Sequence, residues 1–292
     1  MDNLISRLAY AKVNLHLAVG APFSDGYHPI ESIFALVDLA DTLRMTYRES
    51  DDFSFSVTGL EIYCEKGKDT LTKAAFLWYE RSQHPLSIHV HCEKHIPVQA
   101  GLGGGSSDAA SMLLLLQEAA GEQALGLADL QEVALRVGCD VPFFLSGFSC
   151  ALVGGRGEKI SELLLEHKHI LLAQPTGYSV STKEAYALID GLLQRGELGQ
   201  RVPLQAVLAT LKQMTPTWSE VFFNDFEKCV EAHGFYETVR LLGEKHNGFG
   251  CLSGSGSCWY FISENGKTVL ELCNEFNNRF MDSVQLWCTK LI

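Results

Sequence analysis

Hydrophobic and polar residues alternate along much of the chain, in the pattern of β-strands that have one covered and one wet face. Within residues 8–19, Val13 and Leu15 point to one side of the predicted strand. Lys12 and Asn14 point to the other side, where a solvated face alone would explain them. Further strands are predicted at 32–39, 43–48, 53–58 and 86–92. Such alternation predicts an antiparallel or mixed sheet with helices on one side.

Stretches with helical periodicity separate these strands and follow them. Thr70 is the predicted N-cap of a helix over 70–82, and Gly121 and Gly138 are predicted to end the next two helices. The second of those two covers residues 127–137. In the second half of the chain, helices are predicted at 182–194, 203–213, 218–232, 235–245 and 266–279.

The strands of the second half suggest the domain organisation. They are predicted at 169–174, 249–252, 258–262 and 283–289, after a hairpin-like stretch at 149–160. Without the additional helices, the order of elements is β-α-β-β-α-β, which is the ferredoxin-like unit. A charged stretch at 161–168 precedes it. We therefore predict an α+β protein of two domains, which cover residues 1–162 and 163–292.

The candidate chemistry centres on a glycine-rich stretch that opens onto a helix. Residues 97–110 read Pro-Val-Gln-Ala-Gly-Leu-Gly-Gly-Gly-Ser-Ser-Asp-Ala-Ala, so four glycines stand within five positions. Glycine allows positive φ angles and lets the backbone approach a ligand closely. The N-terminus of the following helix presents unpaired N–H groups and the positive end of its dipole to the same point. Together these features predict a phosphate site.

Three other interpretations fit this glycine loop less well. A Walker A loop carries Lys-Ser or Lys-Thr after its last glycine, whereas Gly105 is followed by Ser106 and Ser107. A dinucleotide fingerprint would place its third glycine at Ser106 and would follow a strand, not residues 93–97. A flexible linker would not run directly into an apolar helix.

Composition narrows the classes of partner. The 292 residues carry a net charge of −12, which repels polyanions, so neither nucleic acid nor an acidic membrane is an expected partner. Nine scattered cysteines without any Cys-x-x-Cys pair suit free thiols in a reducing cytosol. The N-terminus lacks a signal-peptide pattern, and no apolar run approaches the ~20 residues of a membrane span. We expect a soluble, cytoplasmic protein.

Three short segments outside the glycine loop carry groups suited to chemistry. Asp140 lies between a helix stop and an apolar Val-Pro-Phe-Phe run, where it is either a turn cap or a partly desolvated carboxylate. An Asp-Gly turn presents Tyr27 and His28 at its exit. His89 and His91 share the polar face of a predicted strand, but no fourth ligand for a metal is evident.

The glycine loop resembles the second motif of the GHMP kinases, the superfamily of galactokinase, homoserine kinase, mevalonate kinase and phosphomevalonate kinase. Residues 11–15, Ala-Lys-Val-Asn-Leu, are similar to the first motif, and residues 252–258, Leu-Ser-Gly-Ser-Gly-Ser-Cys, to the third. The third glycine and the Ser-Ser-Asp resemble one branch, the kinases of 4-diphosphocytidyl-2-C-methyl-D-erythritol. Gly-Tyr-His at 26–28 and Gly-Cys-Asp-Val-Pro at 138–142 are similar to further motifs of that branch.

The resemblance covers nearly the whole chain and implies both a fold and a reaction. The N-terminal domain would be like domain 2 of ribosomal protein S5 and the C-terminal domain ferredoxin-like, with the active site in the cleft between them. The enzyme would transfer the γ-phosphoryl group of ATP to the 2-hydroxyl of 4-diphosphocytidyl-2-C-methyl-D-erythritol, in the non-mevalonate route to isoprenoid precursors. ATP implies Mg²⁺, whose protein ligands we leave open.

The resemblance also implies a role for each matching residue. Asp140 would accept the proton of the hydroxyl, and Lys12 would lower the pKa of that hydroxyl and neutralise charge on the moving phosphoryl group. Tyr27 and Tyr186 would sandwich cytosine while His28 reads its edge. The phosphates of ATP would lie on Pro97, Gly101, Leu102, Gly103, Gly104, Gly105, Ser106 and Ser107. The acceptor would contact Asn14, Tyr27, His28, Thr182, Tyr186, Ser253 and Gly254.

The sequence departs from the motifs of this branch at two places. A basic residue that usually precedes the Asp-Gly turn is missing from residues 21–24, and Cys139 stands in place of Ser.

The nearest alternative is another GHMP kinase, such as homoserine or mevalonate kinase, but those acceptors offer no base to stack. An RNA-binding protein would need a more basic chain, and a nucleotide sensor would lack the Lys12 and Asp140 pair. We expect a monomer or weak homodimer.

Overall fold

The structure, a computed structural model, describes residues 2–198, 202–230 and 233–292. These residues form two compact units. The first unit contains residues 2–11, 39–98 and 103–148. The second unit contains residues 12–38 and 99–102 together with the described part of 149–292.

Both units contain runs of consecutive strands and runs of consecutive helices, which makes the chain α+β. In the described residues, the strands are β1 Asn3–Val19, β2 Ile30–Glu49, β3 Ser54–Thr58, β4 Leu86–Glu93, β5 Cys150–Gly155, β6 Lys159–Glu162, β7 His169–Pro175, β8 Phe249–Leu252, β9 Trp259–Ser263 and β10 Val284–Lys290. The α-helices are α1 Thr70–Ser82, α2 Gly104–Ala120, α3 Leu127–Val137, α4 Val141–Leu145, α5 Thr182–Arg195, α6 Leu204–Thr210, α7 Glu227–Val230, α8 Gly234–Gly243 and α9 Gly266–Phe280. In these described parts of the chain, no helix has both the length and the apolar character needed to cross a membrane.

In the first unit, helices cover one face of a sheet. β4 pairs antiparallel with residues 42–49 of β2 and parallel with β3. Along β4, Leu86, Ile88 and Val90 are buried, while the intervening side chains lie on the wet face, which confirms the predicted alternation. The buried side chains pack against α1, α2 and α3, and Trp78 of α1 is fully buried among them. Each such large apolar side chain contributes roughly 1.5–3 kcal/mol to stability.

The second unit is built on a four-stranded antiparallel sheet with the strand order β10-β7-β9-β8. Leu171, Trp259 and Phe276 belong to its core, together with residues of α5 and α8. The order β7, α5, β8, β9, α9, β10 contains the predicted β-α-β-β-α-β succession. In the same unit, residues 30–35 of β2 pair with β5, and β5 pairs with β6 in the predicted hairpin.

The helix predicted at 218–232 is wrong in its central part. Among the described residues of this stretch, α7 is the only α-helical piece, and residues 231–232 lie outside the description. Asn224 instead forms a bridge with Leu17, and the backbone N–H of Asp225 donates to the Leu17 carbonyl at 3.0 Å. Backbone groups that bond to another strand cannot close helical hydrogen bonds, so the apolar residues here reflect burial and not helical periodicity.

The predicted helix ends are correct at two positions and wrong at one. Gly121 and Gly138 end α2 and α3 as predicted. The N-cap of α1 is Asp69 and not Thr70, because the Asp69 carboxylate accepts hydrogen bonds from the backbone N–H and the hydroxyl of Thr72 at 2.6 and 2.8 Å. A carboxylate is an effective N-cap because it also complements the positive end of the helix dipole.

The two compact units do not follow a single cut in the chain. β2 is one strand where two were predicted, at 32–39 and 43–48, and its residues are shared between the units. Residues 99–102 belong to the second unit although they lie early in the chain. The division into domains 1–162 and 163–292 therefore stays a prediction.

Candidate active site

Hydrogen bonds to the turn between β8 and β9 fix the start of the glycine loop, residues 99–102. Ser253 Oγ donates to the Gly101 carbonyl at 2.9 Å, and the Ser257 N–H donates to the Gln99 carbonyl at 3.2 Å. Gly101 has φ +74°, and a Cβ there would lie 2.0 Å from the carbonyl oxygen of Ser253. Only glycine meets both conditions. The second and third sequence motifs thus form one hydrogen-bonded structure.

Asn224, which is not among the predicted site residues, holds this turn. Asn224 Nδ2 donates to the carbonyls of Leu252 and Gly254, each at 2.8 Å. The hydroxyls of Thr182 and Ser255 lie 3.0 Å apart, which connects the start of α5 to the same turn. An asparagine within a Phe-Phe-Asn-Asp-Phe run was the available signal, but the helix predicted over that stretch concealed it.

Lys12 is buried, with 3% of its surface exposed, and its ammonium group has defined neighbours. Lys12 Nζ donates to Asn14 Oδ1 at 2.7 Å and lies 4.6 Å from the centre of the Phe34 ring. Asn14 Nδ2 in turn donates to Ser32 Oγ at 3.0 Å. The Lys12 backbone N–H donates to the Leu102 carbonyl at 2.9 Å. The first motif therefore adjoins the start of the glycine loop, and Asn14 orients the lysine.

In the first unit, the glycine loop continues into α2. Gly103, with φ +71°, is the N-cap of this helix, so the cap brings no side chain to the N–H groups of the first turn. Thr70 Oγ1 donates to the Gly105 carbonyl at 2.7 Å, which fixes the loop against α1. A Cβ at Gly104 would lie 3.0 Å from Cγ2 of Ile96. The first turn of α2, in which Gly105 is exposed, is the arrangement that binds anions.

A buried ionic cluster, formed by Asp41, Lys94 and Asp108, lies against the start of α2. The Lys94 ammonium contacts both carboxylates, with 2.7 Å to Asp108 Oδ2. Asp41 also accepts hydrogen bonds from the N–H groups of His95 and Ile96 at 2.5 and 2.8 Å, which anchors the segment before the glycine loop. Burial raises the pKa of Asp108 to about 7, against the opposing effect of Lys94 and with a further rise from Asp41. Its charge therefore changes near neutral pH.

Replacement of Asp108 by Asn is expected to flatten the pH dependence of stability. In the unfolded chain Asp108 ionises near the ordinary aspartate pKa of 3.8, but in the folded protein it ionises only near pH 7. The folded state therefore binds more protons between these values, so its stability falls as the pH rises through this window. The melting temperature of Asp108→Asn relative to wild type should rise by at least a few degrees between pH 5 and pH 8.

Asp129→Asn is the matched control for this experiment, because Asp129 pairs with Arg81 at the surface of the same unit. The control should shift the melting temperature by the same small amount at both pH values. An Asp108→Asn curve that runs parallel to the wild-type curve from pH 5 to pH 8 would contradict the proposed titration.

Asp140 immediately precedes α4 and is half-buried. Asp140 is the N-cap residue of α4, but its carboxylate accepts no capping hydrogen bond from the N–H groups of this helix, all of whose residues are described. A Cβ at Gly138 would lie 3.8 Å from Ser106 Oγ. The turn that carries Asp140 therefore adjoins a hydroxyl of the glycine loop within the first unit.

The ring of His28 is held by three neighbours in the second unit. Its Nδ1 lies 2.9 Å from the Gly20 carbonyl oxygen, and its Nε2 lies 3.4 Å from a carboxylate oxygen of Asp190. The ring of Tyr186 packs beside it, with 4.9 Å between the ring centres and an angle of 31°. The structure thus brings two of the predicted acceptor-binding residues together. Asp190 was missed because it is one of several polar residues on α5.

Tyr27 is 55% exposed, and a cation covers its ring. The Arg156 guanidinium lies 5.1 Å from the centre of the Tyr27 ring and forms an ion pair with Asp25 at 2.5 Å. Arg156 comes from the turn between β5 and β6. It brings to the Asp-Gly turn a positive charge that residues 21–24 do not provide. No role for Arg156 is predicted from the sequence.

His89 and His91 have hydroxyl neighbours on the wet face of β4. The Nδ1 atoms of their rings lie 3.0 and 3.1 Å from the hydroxyl oxygens of Ser56 and Thr58. Within the described ranges, no three or more His, Cys, Asp or Glu side chains are grouped so that they could hold a metal ion. The two histidines therefore contribute to a polar sheet surface.

Comparison with known proteins gives a consistent set of relatives. The family model described as GHMP kinases N terminal domain matches residues 69–148. The 4-diphosphocytidyl-2-C-methyl-D-erythritol kinase of Prosthecochloris aestuarii is 35% identical over 267 residues, which cover 89% of this chain and 90% of that protein. A crystal structure of 4-(cytidine 5'-diphospho)-2C-methyl-D-erythritol kinase has a TM-score of 0.77 and 29% identity, over 98% of this chain and 99% of the other. A homoserine kinase from Cytophaga hutchinsonii has a TM-score of 0.70 over 98% and 94%, but its 16% identity shows a likeness of fold alone.

Proposed function

Because the chain belongs to the family of 4-diphosphocytidyl-2-C-methyl-D-erythritol kinases, and so has the GHMP kinase fold, we propose that it phosphorylates the 2-hydroxyl of that acceptor with ATP. One observation carries the proposal. The three sequence motifs are joined by direct hydrogen bonds, from the Lys12 N–H to Leu102 and from Ser253 to Gly101. Residues from three separate motifs of a kinase family are expected to meet where they share a ligand.

The proposal includes the domain organisation. We propose an S5-like domain at 1–162 and a ferredoxin-like domain at 163–292, as predicted from the sequence. The strand order β10-β7-β9-β8, with α5 and α9 in the connections, supports the second assignment because this is the topology of a split β-α-β unit. The polar wet face and helix-covered dry face of β4 are consistent with the first.

ATP would bind through its phosphates to the glycine loop. Its contacts would be Pro97, Gly101, Leu102, Gly103, Gly104, Gly105, Ser106 and Ser107. The first turn of α2 supplies N–H groups and the positive end of a helix dipole, so a chain with a net charge of −12 can still bind an anion there. Mg²⁺ would be held mainly by the phosphates, and Ser106 and Asp140 supply oxygen donors of the kind it prefers.

Catalysis would rest on positioning and on charge stabilisation, as in other phosphoryl transfers. Asp140 would accept the proton of the 2-hydroxyl as that oxygen attacks the γ-phosphorus. Lys12 would neutralise charge that develops on the transferred phosphoryl group, and its burial strengthens that interaction. Asn14, bonded to Lys12 and supported by Ser32, would keep the ammonium group in place.

The acceptor would be recognised through its cytosine. Tyr27 and Tyr186 would stack on the base, with each stacked face worth about 1–3 kcal/mol. Stacking tolerates any base, so the choice of cytosine requires hydrogen bonds around His28. Because Gly20 and Asp190 hold its two ring nitrogens, His28 is oriented before the acceptor arrives. The other contacts to the acceptor would come from Asn14, Thr182, Ser253 and Gly254.

The release of ADP with a panel of acceptors tests the proposal. We expect efficient turnover with 4-diphosphocytidyl-2-C-methyl-D-erythritol and at least about tenfold lower kcat/KM with its uridine analogue, since uracil offers an acceptor where cytosine offers an amino donor. Homoserine and mevalonate should not support turnover above background.

Tyr186→Ala serves as the internal comparison in the same assay. Because stacking does not discriminate between bases, this variant should weaken the use of both nucleotides alike and leave their ratio unchanged. Equal turnover of the cytidine and uridine acceptors by the wild-type protein would remove the cytosine site from the proposal, and turnover of homoserine or mevalonate at a comparable rate would replace the proposed acceptor.

A further inference from the structure

Two cysteines of the second unit lie on facing sides of neighbouring elements. Cys273 is on α9, four residues after Val269 and three before Phe276, which are both buried, so it shares the helix face that packs on the sheet. Cys288 is on β10, two residues after Leu286, which packs into the same core. Because side chains alternate along a strand, Cys288 points to the side of the sheet that α9 covers.

Cys288 pairs in register with Leu171, which belongs to the same core, so both thiols lie where α9 packs on the sheet and are hydrogen-bonding neighbours. Cys288 is exposed and Cys273 is half-buried, and β10 is the edge strand next to β7 in the four-stranded sheet. A small molecule in solution can therefore reach this pair. Burial, the larger cause, and the Cys273 sulfur raise the pKa of Cys288 to about 12, so Cys288 remains a hydrogen-bond donor at neutral pH.

We propose that Cys273 and Cys288, which we name the α9–β10 dithiol, form a reversible disulfide by exchange with small-molecule disulfides. The Cys273 thiolate attacks one sulfur of the small disulfide, a mixed disulfide forms, and one small thiolate leaves. Cys288 loses its proton to solvent and attacks the Cys273 sulfur of the mixed disulfide, and the second small thiolate leaves. The protein dithiol is oxidised by two electrons, and the small disulfide is reduced to two thiols.

Several other cysteines differ from this pair in burial or in hydrogen-bond partner. Cys92, Cys150, Cys251 and Cys258 are buried. Cys64 is exposed, but its Sγ has the Leu60 carbonyl as its hydrogen-bond partner, at 3.9 Å. Cys64 therefore provides an internal reference for the reaction of an exposed thiol without a neighbouring thiol. The inference is independent of the proposed function, because neither α9 nor β10 carries a residue assigned to the reaction.

Oxidised glutathione added to the folded, full-length protein at mildly alkaline pH tests the inference. After acid quenching and digestion, mass spectrometry should find residues 273 and 288 linked and two hydrogen atoms lighter, while Cys64 carries glutathione. The linked form should persist at ratios of reduced to oxidised glutathione that return Cys64 to the free thiol, because the link closes within one molecule. Dithiothreitol should restore the free thiols.

Serine variants at each position keep the test decisive. Cys288→Ser should leave Cys273 as a persistent glutathione adduct or unmodified, and Cys273→Ser should leave Cys288 without a disulfide link. Both variants should lose the rise in melting temperature that oxidation gives the wild-type protein. A stable glutathione adduct on Cys288 of the wild-type protein, or a link from either cysteine to Cys64, would overturn the inference.

Discussion

Replacement of Asp140 by Asn is expected to lower turnover by about 10²–10⁴-fold while the protein remains folded. Asparagine keeps the shape of the side chain but cannot accept the proton of the attacking hydroxyl. The Asp140 carboxylate does not cap α4, so the helix should not depend on it. The rate of ADP release at saturating acceptor and ATP, together with the melting temperature, measures both parts of this expectation.

Asp129→Asn is again the matched control, since it removes a carboxylate from the same unit at a surface ion pair. Its turnover should equal that of the wild type. Turnover of Asp140→Asn within a factor of a few of the wild-type value would mean that another group accepts the proton, or that the transfer needs no base.

Replacement of Lys12 by Met is expected to lower turnover by about 10²–10³-fold, with a much smaller effect on ATP affinity. Methionine fills the space of the buried lysine beside the Phe34 ring but brings no charge to the transferring phosphoryl group. The backbone bond from residue 12 to Leu102 does not depend on the side chain, so the glycine loop should keep its conformation. Steady-state kinetics and calorimetric ATP titration separate the two effects.

Lys168→Met provides a closely matched control in the same unit. Lys168 is also buried, lies 5.5 Å from the centre of the Trp218 ring and pairs with Glu264 at 3.1 Å. This control should lose stability but keep turnover. If Lys12→Met instead lost ATP affinity and kept turnover at saturation, the lysine would serve in binding and not in the transfer step.

Strands and helices that show their burial in their own residue pattern could be predicted from the sequence. Segments whose conformation depends on hydrogen bonds to residues far away in the chain could not. β4 is predictable because its period of two reports directly on a sheet with one covered face. Residues 221–226 fall within a predicted helix, and this prediction is wrong. Asn224 and Asp225 bond to Leu17, and no local sequence pattern reports a partner so far away in the chain. β2 is predicted as two strands for a related reason, since Asp41 interrupts the apolar pattern but is paired with Lys94.

The candidate site was predictable to the extent that its residues carry family motifs. Lys12, Asp140 and the glycines stand out by residue type and spacing, and their roles remain proposals. Arg156 and Asp190 act on neighbours that the fold supplies, Tyr27 and His28, so a motif could not reveal them. Charged residues outside the motifs were the only signal that these positions carried in the sequence.

The long sequence separations within the second unit determine when the proposed nucleotide site can form during synthesis. The Val19 N–H donates to the Asp225 carboxylate at 2.7 Å, across 206 residues, and the Tyr260 hydroxyl donates to the Asn14 carbonyl at 2.7 Å, across 246. Ser253 reaches Gly101 across 152 residues. Contacts between residues so far apart in the chain form late and slowly during folding. The glycine loop and the strand that carries Lys12 leave the ribosome early. Both can reach their final conformation only after the last quarter of the chain has been synthesised.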